Sequence, residues 1–231
     1  VNATDNAAPL TARDLSCRRG ARLLFSGFEL ELRAGQMVWL RGDNGRGKTS
    51  LLRLLAGLVE PDAGEVRWFG RTAPEARAHA LQPLYIAHAN ALKDDLRVHE
   101  ALPFLATMSN ASDAGDAAAL ARAVDAALGR VGLGRTRDAL VRTLSQGQRR
   151  RAALARLAMP SRSVVWLLDE PYDALDQAST AMLDAVLRGH TARGGCIVLT
   201  SHQPLGDGAP VHTELWLRAR AAASVATAVP A

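Results

Sequence analysis

Short apolar stretches and polar turns alternate along the first third of the chain, and the pattern predicts strands followed by a helix. Apolar and polar residues alternate at 28–32, as is typical of a half-buried strand, and shorter strands are predicted at 22–25 and 65–70. The apolar run at 36–41 predicts another strand. Leucines at 48–58 recur at helical spacing, so we expect a helix with one broad buried face there.

The middle of the chain has a different composition and a different spacing of apolar residues. Residues 88–160 are rich in Ala, Leu and Arg at helical spacing, most clearly at 117–128, whereas apolar strands return at 164–168 and 196–200. The strands before and after this region therefore predict one core with helices inserted into it. A polar stretch at 110–116 is predicted to link two of those helices.

These patterns predict a single domain of 231 residues. Its core is expected at about 10–87 and 161–217, with a helical subdomain at about 88–160. The ends, 1–9 and 219–231, are predicted to fray.

Composition narrows the class of protein. With 48% hydrophobic and 22% charged residues, no apolar run near 18 residues and only two cysteines, the sequence indicates a soluble protein of a reducing cytoplasm, without a secretory signal. The net charge is +5, but the arginines are scattered apart from a run at 149–151. Few aromatic residues are available to stack on bases, so no nucleic-acid partner is expected.

A glycine-rich turn at 42–49 carries the first candidate chemistry. It reads Gly-Asp-Asn-Gly-Arg-Gly-Lys-Thr between an apolar strand and the leucine-rich helix, which is the context of a phosphate-binding loop. Backbone N–H groups would cradle phosphate oxygens, and the Thr49 hydroxyl would bind Mg²⁺. Only Lys48 and Lys93 are lysines among 28 basic residues, so a lysine where a slim ammonium is needed strengthens the motif.

Two carboxylates follow the apolar strand at 164–168. Asp169 and Glu170 stand at the strand end, where they would lie beside the phosphate loop. Asp169 would position Mg²⁺ through water, and Glu170 would orient the attacking water or take its proton. Alone, this pair is equally compatible with a solvated turn, but the phosphate loop favours the catalytic interpretation.

Ser145 and Gln148 have the spacing of a capping box and predict a helix start. Gly147 would let a ligand approach the backbone closely, and we expect Ser145 and Gly147 to contact a γ-phosphate. The arginines at 149–151 fall in the first two turns, where the helix dipole disfavours cations. Either a bound anion offsets this conflict or the arginines are simply solvated.

The phosphate loop, the Leu-Ser-Gln-Gly-Gln run at 144–148 and the Asp-Glu pair together resemble the ATP-binding subunits of ABC transporters, over about 10–217. The resemblance implies an α/β fold: a P-loop NTPase core with an N-terminal antiparallel β portion and an inserted α-helical subdomain. It also implies ATP hydrolysis with ATP and Mg²⁺ as cofactors. The implied partners are a second copy in a head-to-tail dimer and integral membrane permease subunits, on the cytoplasmic face of the bacterial inner membrane.

The resemblance also assigns roles to residues. Glu170, His202 and Lys48 would be catalytic, with His202 touching the γ-phosphate, and Thr49 and Asp169 would serve Mg²⁺. Ser145 and Gly147 would cap the ATP held by the other copy, and Asp176 would lie in the loop that communicates across the dimer. The implied nucleotide-binding set is Gly42, Asp43, Asn44, Gly45, Arg46, Gly47, Lys48, Thr49, Ser50, Ser145, Gly147, Gln148 and Asp176.

Within that family, four stretches resemble the ATPases of cytochrome c maturation, the haem exporter complexes. These stretches are 24–27, 39–45, 145–157 and 200–205. Two features depart from the family pattern. Ala89 stands where a glutamine usually links Mg²⁺ to the membrane partner, with Asn90 as a partial substitute, and the usual adenine-stacking aromatic is missing near Arg18 and Arg19. An arginine plane is the candidate replacement on the adenine.

Three other functions compete with this interpretation. The first is a transporter ATPase for a different substrate, such as a peptide or an ion. The second is a soluble ABC ATPase that acts on nucleic acid, which the pI of about 10 favours and the single ATPase unit and scattered arginines disfavour. The third, a simple P-loop kinase, would have no use for the Ser-x-Gly-Gln sequence at 145–148.

Overall fold

The computed structural model describes residues 7–107 and 117–217. The predicted linker at 110–116, the predicted C-terminal end at 219–231 and residues 1–6 of the predicted N-terminal end lie outside the described residues. The strands are β1 (Leu10–Arg19), β2 (Arg22–Leu32), β3 (Met37–Arg41), β4 (Ala63–Arg67), β5 (Leu84–Ile86), β6 (Val165–Leu168), β7 (Cys196–Thr200) and β8 (Thr213–Trp216). The helices are α1 (Lys48–Leu55), α2 (Ala73–Ala78), α3 (Val98–Thr107), α4 (Ala117–Arg130), α5 (Gln146–Leu154) and α6 (Gln177–Ala192).

The strands form two sheets of different kinds. The first is antiparallel, in the order β2-β1-β4, and the second is parallel, in the order β5-β6-β7-β3-β8. All residues of β6 and β7 are buried, which fits the near-continuous apolar sequences of parallel strands covered on both faces. The parallel sheet therefore forms the centre of the molecule.

Each face of the parallel sheet packs against its own layer. On one face, alternate strand residues such as Val38 and Val198 pack on α1, which lies between the parallel and the antiparallel sheets. On the opposite face, Trp39 and Leu199 belong to a cluster with Leu183 and other residues of α6. Because side chains alternate across a strand, each strand of apolar residues supplies both layers.

The helices α3, α4 and α5 build a third cluster beside the sheets. Val98 and Leu102 of α3 pack with Val124 and Leu128 of α4 and with Ala152 of α5. This cluster occupies the region where the sequence predicts a helical subdomain, and the division of the chain at 88 and 160 stays a prediction.

The elements differ from the sequence expectations at two glycines. The strands predicted at 22–25 and 28–32 are one long strand, β2, which passes through Gly27 with a positive φ of 64°. The predicted helix at 48–58 ends early, at Leu55, because Gly57 has a left-handed φ of 64°. In the described part of the chain, no helix has the length and apolar character that crossing a membrane requires.

Candidate active site

A cleft of about 520 Å³ opens at the carboxyl ends of β3, β6 and β7, where parallel α/β sheets commonly bind ligands. The phosphate loop forms its floor, and the hairpin between β1 and β2 forms one wall. The lining residues are Arg19, Arg22, Leu24, Asp43, Asn44, Gly45, Gly47, Lys48, Thr49, Ser50, Arg53, Ala87, His88, Ala89, Asp169, Glu170 and His202.

The phosphate loop has the geometry that a bound phosphate requires. Gly47 caps α1 with φ 99°, so the loop turns sharply and presents the free N–H groups of the helix start. A Cβ at Gly47 would lie 3.1 Å from the Cβ of Leu24, which leaves little room for a side chain. The Lys48 ammonium donates to the Gly42 carbonyl at 2.6 Å, inside the loop and facing the cleft.

Among the described residues, the Asp169 side chain is hydrogen-bonded through one carboxylate oxygen only. The side chain is 2% exposed, and its Oδ1 accepts a hydrogen bond from the Thr200 hydroxyl at 2.9 Å. Its Oδ2 is buried without a hydrogen-bond partner among the described residues. A buried carboxylate oxygen left unpartnered is costly, and a hydrated divalent cation would satisfy it. With the Thr49 hydroxyl also lining the cleft, the donor set fits Mg²⁺.

Glu170 is fixed by both its backbone and its side chain. Its φ is 50°, an uncommon value for a residue other than glycine and a form of strain that clusters at functional sites. Its N–H donates to the Thr200 hydroxyl at 2.9 Å. Its Oε2 accepts from the His202 N–H at 2.8 Å, and its Oε1 lies 3.3 Å from the His202 Nε2. Glu170 and His202 therefore form one unit at the edge of the cleft.

The predicted capping box at the start of α5 is present. The Ser145 hydroxyl accepts from the Gln148 N–H at 3.2 Å, and the Gln148 side chain accepts from the Ser145 N–H at 2.9 Å. Gly147 lies against the loop before α6, since a Cβ there would meet the Ala174 carbonyl at 3.2 Å. These three residues do not line the cleft.

Asp176 also lies away from the cleft, as the N-cap of α6. Its carboxylate accepts from the Ser179 N–H at 2.8 Å, and hydrogen bonding to Ser179 lowers the pKa of Asp176. Two other predicted residues, Gly42 and Arg46, do not line the cleft: the Gly42 carbonyl accepts from Lys48, and Arg46 pairs with Asp43 at 3.3 Å. One copy of the chain thus brings together the phosphate loop, Asp169, Glu170 and His202, and leaves the start of α5 outside.

Each of the three arginines at 149–151 has a partner within the protein, which neither interpretation of the sequence included. Arg149 pairs with Asp94 at 2.7 Å, and Arg151 donates to the Val131 carbonyl at 3.3 Å. Arg150 is buried, and its guanidinium donates to backbone carbonyls beside the cleft. Burial lowers the pKa of Arg150, and the charges of nearby carboxylates act in the opposite direction.

The sequence interpretation missed several side chains at this site. Thr200 bridges Asp169 and Glu170, and its signal was a hydroxyl residue ending an otherwise apolar strand. Arg22, which pairs with Arg19 across the turn between β1 and β2, also lines the cleft. Of the two arginines at the predicted adenine contact, Arg19 lines the cleft and Arg18 does not. The lining residues Arg53 and His88 come into place only through the tertiary fold.

Ala89, at the position of the usual glutamine, and Asn90, its suggested partial substitute, lie in different surroundings after β5. Ala89 lines the cleft, but Asn90 does not. The Asn90 carboxamide oxygen instead accepts from the Arg150 guanidinium at 3.1 Å. The expectation that Asn90 partly replaces the glutamine at the metal therefore has no support in this geometry.

Known proteins match this chain closely. The model of the ABC transporter family matches residues 25–173, which include the phosphate loop, the start of α5 and the Asp169–Glu170 pair. The cytochrome c biogenesis ATP-binding export protein CcmA of Aromatoleum aromaticum is 47% identical over 84% of this chain and 88% of its own length. The protein of the same name from Pseudomonas savastanoi pv. phaseolicola is 45% identical over 85% and 89%.

Solved structures agree with the fold. The dimeric structure of MJ0796, a bacterial ABC transporter cassette, superposes with a TM-score of 0.78 and covers 93% of this chain and 97% of that one, at 18% identity. Both the resemblance and the predicted α/β fold are thereby confirmed. The chain belongs to the family of ABC transporter ATP-binding proteins, among the cytochrome c biogenesis ATP-binding export proteins.

Proposed function

We propose that this chain binds and hydrolyses ATP as the energy-supplying subunit of an exporter complex that serves cytochrome c biogenesis. It would lie on the cytoplasmic face of the bacterial inner membrane, bound to integral membrane permease subunits. The printed names of relatives at 47% and 45% identity support the cytochrome c assignment. The cleft residues support the ATPase activity.

One observation carries the proposal: the site is divided. The phosphate loop, Asp169, Glu170 and His202 share the cleft, while Ser145 and Gly147 lie outside it. A second copy placed head to tail would bring its own Ser145 and Gly147 over the nucleotide. ATP would then bind between two copies, and hydrolysis would depend on their closure. The solved relative with the same fold is described as a dimer, which agrees with this arrangement.

The cleft residues have separate tasks in hydrolysis. The N–H groups of the phosphate loop and the Lys48 ammonium would hold the β- and γ-phosphates. Glu170 would accept a proton from the attacking water as the oxygen of that water bonds to the γ-phosphorus and ADP leaves. His202 holds the Glu170 carboxylate in place. Thr49 and Asp169 would hold Mg²⁺, which when bound offsets the negative charge of the phosphate oxygens.

The basic run at 149–151 bears on the competing nucleic-acid function. Each of its arginines is engaged by Asp94 or by backbone carbonyls, so this run is not a ready set of phosphate contacts. The geometry therefore favours the transporter proposal over the nucleic-acid one.

The test is the Glu170→Gln variant in the purified transporter complex. We expect ATP binding to persist, a closed ATP-bound dimer to accumulate, and turnover to fall by about 10²- to 10⁴-fold, because the proton acceptor is lost. Glu60→Gln is the control, since Glu60 is exposed and away from the cleft. Turnover at the wild-type rate in Glu170→Gln would overturn the role of Glu170 and with it the proposed site.

A further inference from the structure

The Arg150 guanidinium connects three segments of the protein. It is carried by α5 and is 2% exposed. One terminal nitrogen donates to the carbonyls of Ala87 at 3.1 Å and His88 at 3.4 Å, and to the carboxamide of Asn90 at 3.1 Å. The other donates to the carbonyls of Asp169 at 3.0 Å and Glu170 at 2.6 Å.

These acceptors belong to the two walls of the catalytic cleft. Residues 87–90 follow β5, and residues 169–170 follow β6, its neighbour in the parallel sheet. Ala87 and His88 line the cleft, as do Asp169 and Glu170, whereas Arg150 does not line it. Arg150 therefore touches the backbone that carries the catalytic carboxylates and stays outside the space for nucleotide.

The position of Arg150 on its helix is the second part of the arrangement. The capping residue Ser145 and the close-approach residue Gly147 stand within one and a half turns of Arg150 on α5. Arg150 lies on the same face as Ala153 and Leu154, which are buried. A shift or rotation of the helix start would therefore move the guanidinium against residues 87–90 and 169–170.

A guanidinium suits this link, and an ammonium does not. Its planar fork directs donors at two segments at once, while a lysine is a point charge on a flexible stem. In the described residues, Arg150 has no carboxylate hydrogen-bond partner, and its terminal nitrogens donate to carbonyl and carboxamide oxygens. Its Nε is buried without a hydrogen-bond partner among these residues, and the charges of nearby carboxylates help to stabilise the guanidinium. Burying a cation is costly, so the hydrogen bonds of its two terminal nitrogens favour keeping both backbone segments against the guanidinium.

We propose that Arg150 is a positioning residue that couples the start of α5 to the orientation of Asp169 and Glu170 in the same chain, with Asn90 as its side-chain anchor. The inference rests on the proposed function, in which the start of α5 caps the nucleotide of the partner copy. Arg150 then links two ATP sites. When the start of α5 caps the nucleotide held by the partner copy, Arg150 orients the catalytic carboxylates of the chain to which it belongs.

The experiment compares variants of the full chain in the transporter complex purified from membranes. Arg150→Gln removes the charged fork, Arg150→Lys keeps the charge alone, and Asn90→Ala removes only the side-chain anchor. Arg142→Gln is the matched control, because Arg142 is exposed and pairs with Asp95 at 3.1 Å. For each variant we would measure affinity for a fluorescent ATP analogue, the melting temperature, kcat, and the Hill coefficient of ATP hydrolysis.

The expected pattern separates coupling from folding. In Arg150→Gln and Arg150→Lys, nucleotide affinity should stay within about twofold of wild type, while kcat falls about tenfold or more and the Hill coefficient drops to about 1. Asn90→Ala should lose part of kcat and of cooperativity, and the double variant should be no worse than Arg150→Gln alone. Arg142→Gln should match wild type.

Two outcomes would overturn the inference. One is wild-type cooperativity and kcat in Arg150→Gln. The other is a parallel loss of nucleotide affinity, melting temperature and kcat, which a merely structural role predicts. If Arg150→Gln does not fold, Asn90→Ala decides, and its full activity would refute the link. Failure of the proposed function is recognised separately, because the wild-type complex would then show no cooperative ATP turnover.

Discussion

The hydroxyl of Thr200 holds one carboxylate oxygen of Asp169 and leaves the other without a hydrogen-bond partner among the described residues. Thr200 is fully buried at the end of β7, and it donates to Asp169 Oδ1 at 2.9 Å. The same hydroxyl accepts from the N–H of Glu170 at 2.9 Å, so a single atom fixes both carboxylate residues. Asp169 Oδ2 is thereby left available to the proposed Mg²⁺.

Replacing Thr200 by valine should impair metal use and stability together. Thr200→Val keeps the shape but leaves the buried Glu170 N–H without its acceptor, which costs about 1–3 kcal/mol in the free energy of unfolding. The Mg²⁺ concentration for half-maximal ATP hydrolysis should rise because Asp169 can rotate. Thr200→Ser, which keeps the hydroxyl, is the control. Denaturant unfolding and Mg²⁺ titrations check both effects, and equal Mg²⁺ dependence in wild type and Thr200→Val would refute the orienting role.

Restoring a glutamine at Ala89 should not lower Mg-ATP hydrolysis. Ala89 is exposed and lines the cleft, so a longer side chain has open space and its amide can reach toward the metal side. Ala89→Leu adds similar bulk without the amide and separates the two contributions. Steady-state ATPase assays of both variants provide the measurement. A sharp loss confined to Ala89→Gln would show that this loop has a geometry of its own, incompatible with the usual glutamine.

Stability should decrease in mild acid because of His190. Its ring stacks on Trp166, with centroids 3.6 Å apart, its Nε2 donates to the Val164 carbonyl at 2.9 Å, and burial lowers the pKa of His190 from 6.5 to about 4. Between these pH values the unfolded chain binds the proton more readily than the native chain. The free energy of unfolding should therefore fall as the pH drops through this window.

The size of this effect is about 1–2 kcal/mol after allowance for partial solvent screening. Urea unfolding at several pH values measures it. His190→Phe retains a ring against Trp166 but does not titrate, so its stability should depend less on pH over the same range. The same dependence in wild type and His190→Phe would assign the acid sensitivity to other groups.

Much of the fold follows from local sequence. The strand at 196–200 and the capping box at Ser145 were predicted as they occur, because an unbroken apolar run and a cap depend on neighbouring residues. Strand β2 was divided wrongly, since its pairing with β1 continues past Gly27 through a register shift between the partners of Phe25 and Phe28. The end of α1 was placed late because leucine spacing continues past Gly57.

Site residues that belong to a contiguous sequence motif could be predicted, whereas those whose role depends on tertiary packing could not. The phosphate loop, Asp169 and Glu170 form contiguous patterns with known chemistry, and the structure brings them to one cleft. Arg150 lies in a run of three arginines, and the sequence analysis gave all three the same interpretation. Its helical register with the buried Leu154 was the available signal, since an arginine on an apolar face needs a buried partner.

The role of this chain in cytochrome c biogenesis is tested most directly by haem staining of c-type cytochromes in source cells that carry Lys48→Ala in place of the wild-type chain. Arg33→Ala, an exposed residue that pairs with Glu31, is the control, and an immunoblot would confirm equal amounts of each chain. We expect covalently haem-bound cytochromes to vanish in Lys48→Ala while other haem proteins persist. Unchanged cytochrome staining in Lys48→Ala would contradict a role of ATP hydrolysis by this chain in cytochrome c biogenesis.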